Sequence, residues 1–111
     1  MTDVLVVLVT AGSGEEASGI AEALVLENLA ACVNIVAGIR SVYTWKGEVC
    51  NDEEVLMVVK TQRERFEALK ERIREIHSYD VPEIVAFPVT HGLPDYLSWV
   101  LEATRSPGGS R

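Results

Sequence analysis

The chain has 111 residues, of which 48% are hydrophobic, and a formal net charge of −7. This length suits one domain, and this hydrophobic content suits a packed core rather than a disordered chain. The acidic balance is spread along the chain and argues against nucleic acid or an anionic membrane as the main partner, because both require clustered Lys and Arg.

The first third of the chain predicts a strand and then a helix. Asp3 to Ala11 is dense in Val and Leu, as in a central strand buried on both faces. This apolar run is too short to cross a bilayer and follows no basic leader, so we expect a cytoplasmic protein. Ser13 and Glu16 fit a capping box, and we predict a helix from there to about Asn28.

The segment from Ala31 to Thr61 predicts two long strands joined by a tight turn at Lys46-Gly47. Gly38 interrupts the first strand and is expected at a bulge or bend. Each strand would exceed the roughly 17–20 Å usual in globular domains. A chain of this size cannot cover both faces and edges of such a ribbon, so the ribbon predicts self-association.

The last part of the chain predicts helix, strand and helix. Thr61 and Glu64 repeat the capping-box pattern, and the helix that they begin runs to about Ile76. After a loop, a strand is predicted from Glu83 to Val89 and a final helix from Pro94 to about Thr104.

The element order is β-α-β-β-α-β plus a final helix. It predicts an α+β, ferredoxin-like fold: a four-stranded antiparallel sheet with helices on one face, here with a long hairpin between the second and third strands. We expect a single domain over residues 1–104 and a flexible tail over residues 105–111, which are rich in Ser, Pro and Gly.

Two cysteines and a histidine are the candidate metal ligands. Cys32 and Cys50 would lie far apart on the ribbon, so no intrachain disulfide is expected. The Cys32 thiolate would suit copper, although a buried structural thiol is the simpler explanation. His77 follows the second helix, where either a metal ion or the helix dipole would account for it. No ligand-spacing motif joins these residues.

Short motifs occur in a fixed order over residues 4–102. They are Ala30-Ala31-Cys32-Val33-Asn34, Ser41-Val42-Tyr43-Thr44-Trp45-Lys46-Gly47, Glu54 through Lys60-Thr61, His77-Ser78-Tyr79, Pro82-Glu83-Ile84, and Gly92 followed by Tyr96-Leu97-Ser98-Trp99. With these motifs the chain resembles the CutA family of divalent-cation tolerance proteins. The resemblance implies a ferredoxin-like subunit in a homotrimer whose hairpins embrace neighbouring subunits. It also implies a role in tolerance of copper and other divalent cations.

The chain departs from the family pattern at three positions. Ala37 stands where Pro commonly precedes the glycine at Gly38. The metal ligands assigned in the family include a Cys that ends the first strand and a His-His pair. Val9 stands at the first position and Ile76-His77 at the second, so only His77 carries over.

A ligand cleft between subunits is the second candidate site. Its candidate residues are Tyr43, Trp45, Lys60, Tyr79, Glu83 and Trp99. Packing in the core or at a subunit interface is the simpler explanation of the aromatic residues. Lys60 would lie beside a helix N-terminus, where an anion is favoured, or would pair with Glu83. In Asp52-Glu53-Glu54, the carboxylates of Asp52 and Glu54 share a strand face, which suits a hard cation or solvated edge charges.

Two functions therefore compete, and both are binding functions. The first is a CutA-like trimer that contributes to metal-ion tolerance by binding copper or another divalent cation. The alternative follows from the likeness of the family's trimer to that of the PII signalling proteins: a sensor that binds a small anionic ligand between subunits. No catalysis is expected, because Thr10 to Gly14 lacks the Arg that an acylphosphatase loop needs.

Overall fold

Four strands form one antiparallel sheet in the order β2-β3-β1-β4. The computed structural model describes residues 2–106. The elements are β1 (Val4–Ala11), α1 (Gly14–Leu26), β2 (Cys32–Trp45), β3 (Glu48–Gln62), a 3₁₀ turn (Arg63–Arg65), α2 (Phe66–Ile76), β4 (Ile84–Pro88) and α3 (Pro94–Ala103). This is the predicted α+β fold. The predicted fourth strand is longer than β4 by one residue at each end.

The main core lies between the sheet and the helices α1 and α2. Val7 and Val9 of β1 point to the same side as their partners Val59 and Met57 of β3, and all four are fully buried. The helices contribute apolar stripes, which are Ala17, Ile20, Ala21 and Leu24 from α1 and Leu69 and Ile73 from α2, with Phe66 and Ile76 partly buried beside them. Apolar burial on one face of the sheet therefore fixes the strand register.

The third helix lies on the opposite face of the sheet, which we call the open face. Gln62 alternates with buried Thr61 and points away from the main core, and its side-chain amide donates to the Leu101 carbonyl and the Thr104 hydroxyl. Val100 is fully buried on this side. The rest of the open face has no helix over it in the described chain, and Val36, Val85 and Phe87 are exposed there.

The long ribbon formed by β2 and β3 is confirmed, and its two halves have different neighbours. We call residues 32–36 with 55–62 its base and residues 39–54 its tip half. The base pairs with β1 along one edge, whereas within the described chain the tip half has no third strand beside it. The turn at Lys46-Gly47 is also confirmed, with φ values of 53° and 82° that suit a type I′ hairpin.

The capping-box predictions were half right at Ser13 and wrong at Thr61. The Ser13 hydroxyl accepts from the Glu16 amide at 3.1 Å, but the Glu16 carboxylate reaches across to the amide and hydroxyl of Ser78. Thr61 caps no helix. It is a buried residue of β3 that donates to the Leu29 carbonyl at 2.7 Å, because the strand continues to Gln62 and α2 begins only at Phe66.

Two sequence expectations concern the ends of the chain and the membrane. Of the predicted flexible tail, residues 107–111 lie outside the described residues. Arg105, which is described, bonds the Glu102 carboxylate at 2.8 Å. Among residues 2–106, no helix combines the length and the apolar character that a bilayer crossing requires.

Candidate ligand-binding cleft

A bulge in β2 determines which side chains of the tip half face the open side of the sheet. Before the bulge Val36 pairs with Leu56, and after it Ile39 pairs with Glu54. The two residues between, Ala37 and Gly38, have no partner in the ladder, and Gly38 adopts a φ of +77°. The face of β2 that looks to the open side therefore changes from even-numbered to odd-numbered residues, while β3 keeps its even-numbered residues there.

The bulge places Tyr43 and Trp45 on the same face as Glu54. Without the extra residue, the alternation that directs Cys32, Asn34 and Val36 to the open face would direct these two aromatic rings to the other side. The predicted bulge at Gly38 is thus confirmed, and its consequence is that two candidate aromatic residues and a carboxylate converge.

These side chains line a cleft of about 620 Å³, a size typical of small-molecule sites. The hairpin and the loop of residues 79–83 form its walls, and β1 and β3 contribute its floor. The lining residues are Thr10, Ser41, Val42, Tyr43, Trp45, Glu54, Tyr79, Asp80, Val81 and Glu83. Four of the six predicted cleft residues are therefore brought together, namely Tyr43, Trp45, Tyr79 and Glu83.

Two tyrosine–carboxylate hydrogen bonds order the cleft. The Tyr79 hydroxyl donates to Glu54 Oε2 at 2.6 Å, and the Tyr43 hydroxyl donates to Asp52 Oδ2 at 2.6 Å. Burial and the Glu54 hydrogen bond raise the pKa of Tyr79. The hydrogen bond to Asp52, with some burial, raises the pKa of Tyr43 to about 12. Both phenols are therefore neutral donors at physiological pH, and both carboxylates are acceptors.

His77 supports the loop wall of the cleft through both of its ring nitrogens. Its buried ring places Nε2 at 2.7 Å from the Thr10 carbonyl, and Nδ1 accepts from the Tyr79 amide at 3.1 Å. Because an amide can only donate, Nδ1 carries no proton and the ring is the neutral Nε2–H tautomer. The nitrogens that the predicted metal role of His77 would need are thus occupied by the backbone.

Glu16 of helix α1 hydrogen-bonds the same loop. Its carboxylate accepts from the Ser78 amide at 2.8 Å and lies 3.6 Å from His77 Nδ1. Burial alone would raise the pKa of Glu16, but the backbone and side-chain hydrogen bonds from Ser78, together with that from the Gly12 amide, lower it. The loop wall therefore rests on two side chains that come from α1 and from the end of α2.

Cys32, Lys60 and Trp99 lie outside the cleft, near the base of the ribbon. Cys32 and Lys60 are direct cross-strand partners, and the Lys60 ammonium donates to the Asn34 carboxamide. Burial raises the pKa of Tyr96 of α3, and the neighbouring Cys32 raises it further. The Trp99 ring lies 5.6 Å from that of Tyr96. Cys32 and His77 are therefore not neighbours in one subunit.

Two interpretations of Lys60 are wrong within a single chain, whereas a pair with Glu83 across an interface stays a prediction. It does not lie beside the N-terminus of α2, because β3 runs on to Gln62 and a 3₁₀ turn follows. It does not pair with Glu83 within the chain, because β1 lies between β3 and β4 in the sheet and Lys60 is level with Phe87 through Val6. Only the order of the strands in space could reveal this separation.

Glu54 contributes more to the cleft than its sequence pattern indicated. Thr10, Ser41 and Asp80 also line the cleft, and none of them was predicted from the sequence. The acidic run favoured a solvated edge charge at Glu54, but this residue is only 8% exposed. A signal was present in the sequence: Glu54 directly precedes the buried run from Val55, and the Gly38 bulge aligns it with the aromatic residues.

The second cysteine lies on the ribbon across from Tyr43. Cys50 is half-buried there and makes no disulfide. The prediction that no intrachain bridge joins Cys32 and Cys50 is therefore confirmed.

The charge of the cleft is negative. Three of its ten lining residues are acidic, Glu54, Asp80 and Glu83, and none of the ten is Lys, Arg or His. Asp52 adds a fourth carboxylate beside Tyr43. A cleft with this lining attracts cations and repels anions.

Comparisons with known proteins agree on one family. A family model described as CutA1 divalent ion tolerance protein matches residues 5–103. The chain is 54% identical over 99 residues to the divalent-cation tolerance protein CutA of Thermus thermophilus, covering 89% of this chain and 96% of that protein. The solved structure of the divalent cation tolerance protein (Cut A1) from Thermus thermophilus matches with a TM-score of 0.89 and 53% identity, covering 91% of this chain and 98% of that one.

A plant relative is longer. The chain is 46% identical over 102 residues to the chloroplastic protein CutA of Arabidopsis thaliana, a match that covers 92% of this chain and 56% of that protein. The chain thus spans little more than half the length of this relative.

Proposed function

The chain belongs to the CutA1 divalent ion tolerance family, and from this premise we propose that it contributes to cation tolerance by binding a cation in the acidic cleft, without catalysis. The observation that carries the proposal is the environment of the Glu54 side chain. The residue is 8% exposed. It lies in the wall of a cleft of about 620 Å³ that has no basic lining residue, and its carboxylate accepts from a neutral hydroxyl.

Calorimetric titration with Mg²⁺, Zn²⁺ and Cu²⁺ tests the proposal. We expect saturable binding at micromolar concentrations that weakens at least tenfold in Glu54→Gln, because the amide keeps the shape of the side chain but not its charge. Glu71→Gln, on the exposed side of α2, is the matched control and should bind as the wild type does. Dissociation constants in the millimolar range or weaker for every ion would contradict direct metal binding.

We further propose that the protein acts as a homotrimer. Two features of the single chain support an assembly: the tip half of the ribbon lacks a neighbouring strand within the described residues, and apolar side chains such as Phe87, 47% exposed, stand on the open face of the sheet. A two-stranded ribbon is marginal on its own, and a large exposed apolar face calls for a partner. Light scattering after gel filtration should give three times the 12.2 kDa chain mass.

Phe87→Glu should dissociate this assembly, since the charge would have to be buried at the interface. Leu26→Glu is the matched control: Leu26 is more exposed but lies on α1, away from the open face. A monomeric wild-type protein at micromolar concentration would end the trimer proposal.

The alternative, an anionic ligand bound between subunits, has less support. Its only basic candidate, Lys60, lies at the base of the ribbon, and its ammonium already bonds Asn34. An anion would meet the carboxylates of the cleft instead. Titration with an ammonium and a carboxylate that share one apolar body distinguishes the two.

We propose a cytoplasmic location. The two cysteines are unpaired, as is usual where thiols are kept reduced. Fractionation of the source cells by osmotic shock checks this, and release of the protein with the periplasmic marker would contradict it.

A further inference from the structure

Within one chain the cleft supplies fewer ligands than a metal ion takes, so a metal ion bound there would need further ligands from a neighbouring subunit. Among residues 2–106, no group of three or more His, Cys, Asp or Glu side chains is arranged to hold a metal ion. The His77 nitrogens are engaged by Thr10 and Tyr79, and Cys32 lies elsewhere. Metal ions in proteins take four to eight ligands. The negative charge of the cleft is therefore present without the ligand set of a metal site.

The size and the walls of the cleft suit an organic cation. Its volume of about 620 Å³ is that of a site for a small molecule rather than an ion. Tyr43, Trp45 and Tyr79 supply aromatic rings, and Val42 and Val81 supply apolar surface. An aromatic face attracts an ammonium group through its quadrupole.

Glu54 offers the counter-charge that such a ligand needs. One oxygen, Oε2, accepts from Tyr79. The other oxygen, Oε1, has no hydrogen-bond partner in the described chain. Every buried side-chain oxygen or nitrogen of the described chain has such a partner, so Oε1 is not buried and is open to the cleft. No Lys, Arg or His of residues 2–106 forms an ion pair with this carboxylate. A buried carboxylate without a cation is costly, and a charged ligand would offset that cost.

We propose that the cleft binds a primary alkylammonium ion that carries an apolar or aromatic body. The ammonium would donate to Glu54 Oε1 and to neighbouring acceptors among Thr10, Ser41 and Glu83, while the body packs against Tyr43 and Trp45. A primary ammonium is favoured over a quaternary one because the floor of the cleft presents oxygen acceptors for its three N–H groups. The inference rests on the proposed function, in which this cleft takes a cation, and names the class of that cation.

Three probes with the same phenylethyl body and different charge test the proposal. They are 2-phenylethylammonium, 3-phenylpropionate and 2-phenylethanol, titrated by calorimetry into the full chain at pH 7. We expect the ammonium to bind at least tenfold more tightly than the alcohol, and the carboxylate to bind more weakly than both. Equal affinities for the ammonium and the alcohol, or tighter binding of the carboxylate, would overturn the inference.

Single substitutions show which residues of the cleft bind the ammonium probe. Glu54→Gln should weaken the ammonium at least tenfold, and Glu71→Gln should leave it unchanged. Trp45→Leu keeps the inference testable if Glu54→Gln does not fold, because Trp45 is 51% exposed near the turn. It should weaken the ammonium severalfold, whereas unchanged affinity in Trp45→Leu would contradict the proposal.

The same titrations with Zn²⁺ and Mg²⁺ separate this inference from the proposed function. If a metal ion binds through Glu54 and the ammonium does not, the inference fails and the proposed function stands. If neither cation binds, both fail.

Discussion

The base and the tip half of the ribbon belong to the same two strands but are stabilised by different means. In the base, Val55, Met57 and Val59 alternate into the main core, and β1 pairs along one edge. In the tip half the side chains are largely exposed, and the interactions within the chain are cross-strand polar pairs such as Arg40 with Asn51. The same two strands are therefore stabilised by apolar burial in the base, whereas most side chains of the tip half stay exposed within the chain.

The largest expected effect comes from the same substitution made in both halves. Val59→Ala should lower the free energy of unfolding by about 1.5–3 kcal/mol, because the side chain is fully buried. Val49→Ala, at a site 76% exposed, should change it by less than about 0.5 kcal/mol. Chemical denaturation at one fixed protein concentration measures both. A loss at Val49 as large as that at Val59 would mean that a second subunit buries the tip half.

The two tyrosine–carboxylate bonds extend the comparison to polar groups. Tyr79→Phe should cost about 1–3 kcal/mol, because it leaves the buried Glu54 carboxylate without its donor. Tyr43→Phe removes a bond of equal length from exposed Asp52 and should cost less than about 0.5 kcal/mol. Denaturant midpoints of the two variants check this. Equal costs would show that Asp52 is shielded from water as well as Glu54 is.

The join between the halves depends on a backbone conformation. Gly38→Ala should destabilise the protein by about 1–2 kcal/mol, because a residue with a Cβ is strained at a φ of +77°. Gly19→Ala is a control of opposite sign: it lies within α1 with open space around it, so it should stabilise by about 0.5–1 kcal/mol. Thermal unfolding shows the sign directly. A neutral Gly38→Ala would mean that the bulge tolerates a side chain or has moved.

The smallest effect concerns the loop that faces the tip half. Glu16→Gln should cost about 1 kcal/mol at pH 7, since it weakens two hydrogen bonds from Ser78 to a carboxylate. The pKa of Glu16 is lowered in the folded state, so its charge stabilises the fold fully above the ordinary value of 4.5, and the stabilisation is lost as the pH falls through the lower folded value.

The difference between wild type and Glu16→Gln should therefore shrink in acid. Unfolding free energies at pH 7 and pH 3 measure it, with Glu15→Gln as an exposed control in the same helical turn. A difference that stays constant between these pH values would contradict the role assigned to the Glu16 charge.

The fold was predictable because its signals are local. The apolar run of β1, the helical stripes and the Lys46-Gly47 turn each report on neighbouring residues, and their order along the chain predicts the sheet. Errors occurred at a boundary, where Thr61 matched a capping box. Burial against Leu29 kept Thr61 in the strand, and a local pattern cannot reveal such a tertiary contact.

The candidate site was predictable only in part, because it depends on spatial order. Tyr43, Trp45, Tyr79 and Glu83 do converge, but Lys60 and Trp99 belong to the other end of the ribbon. The place of Glu54 in the cleft was also missed, because a count of strand positions that omits the extra residue of the bulge puts Tyr43 and Trp45 on the opposite face of the ribbon. That the cleft binds a ligand stays a prediction.

The two-residue turn has a consequence for the order in which the chain folds. It joins strands that are adjacent in sequence, so the ribbon can close as a hairpin from Lys46-Gly47 towards Cys32 and Lys60. By contrast, β1 pairs with β4 through residues that are far apart in sequence, such as Leu5 and Pro88. The entropic cost of closing a loop grows with the length of that loop. We expect the ribbon to form early, so that its unpaired edges are exposed on the nascent chain before the sheet is complete.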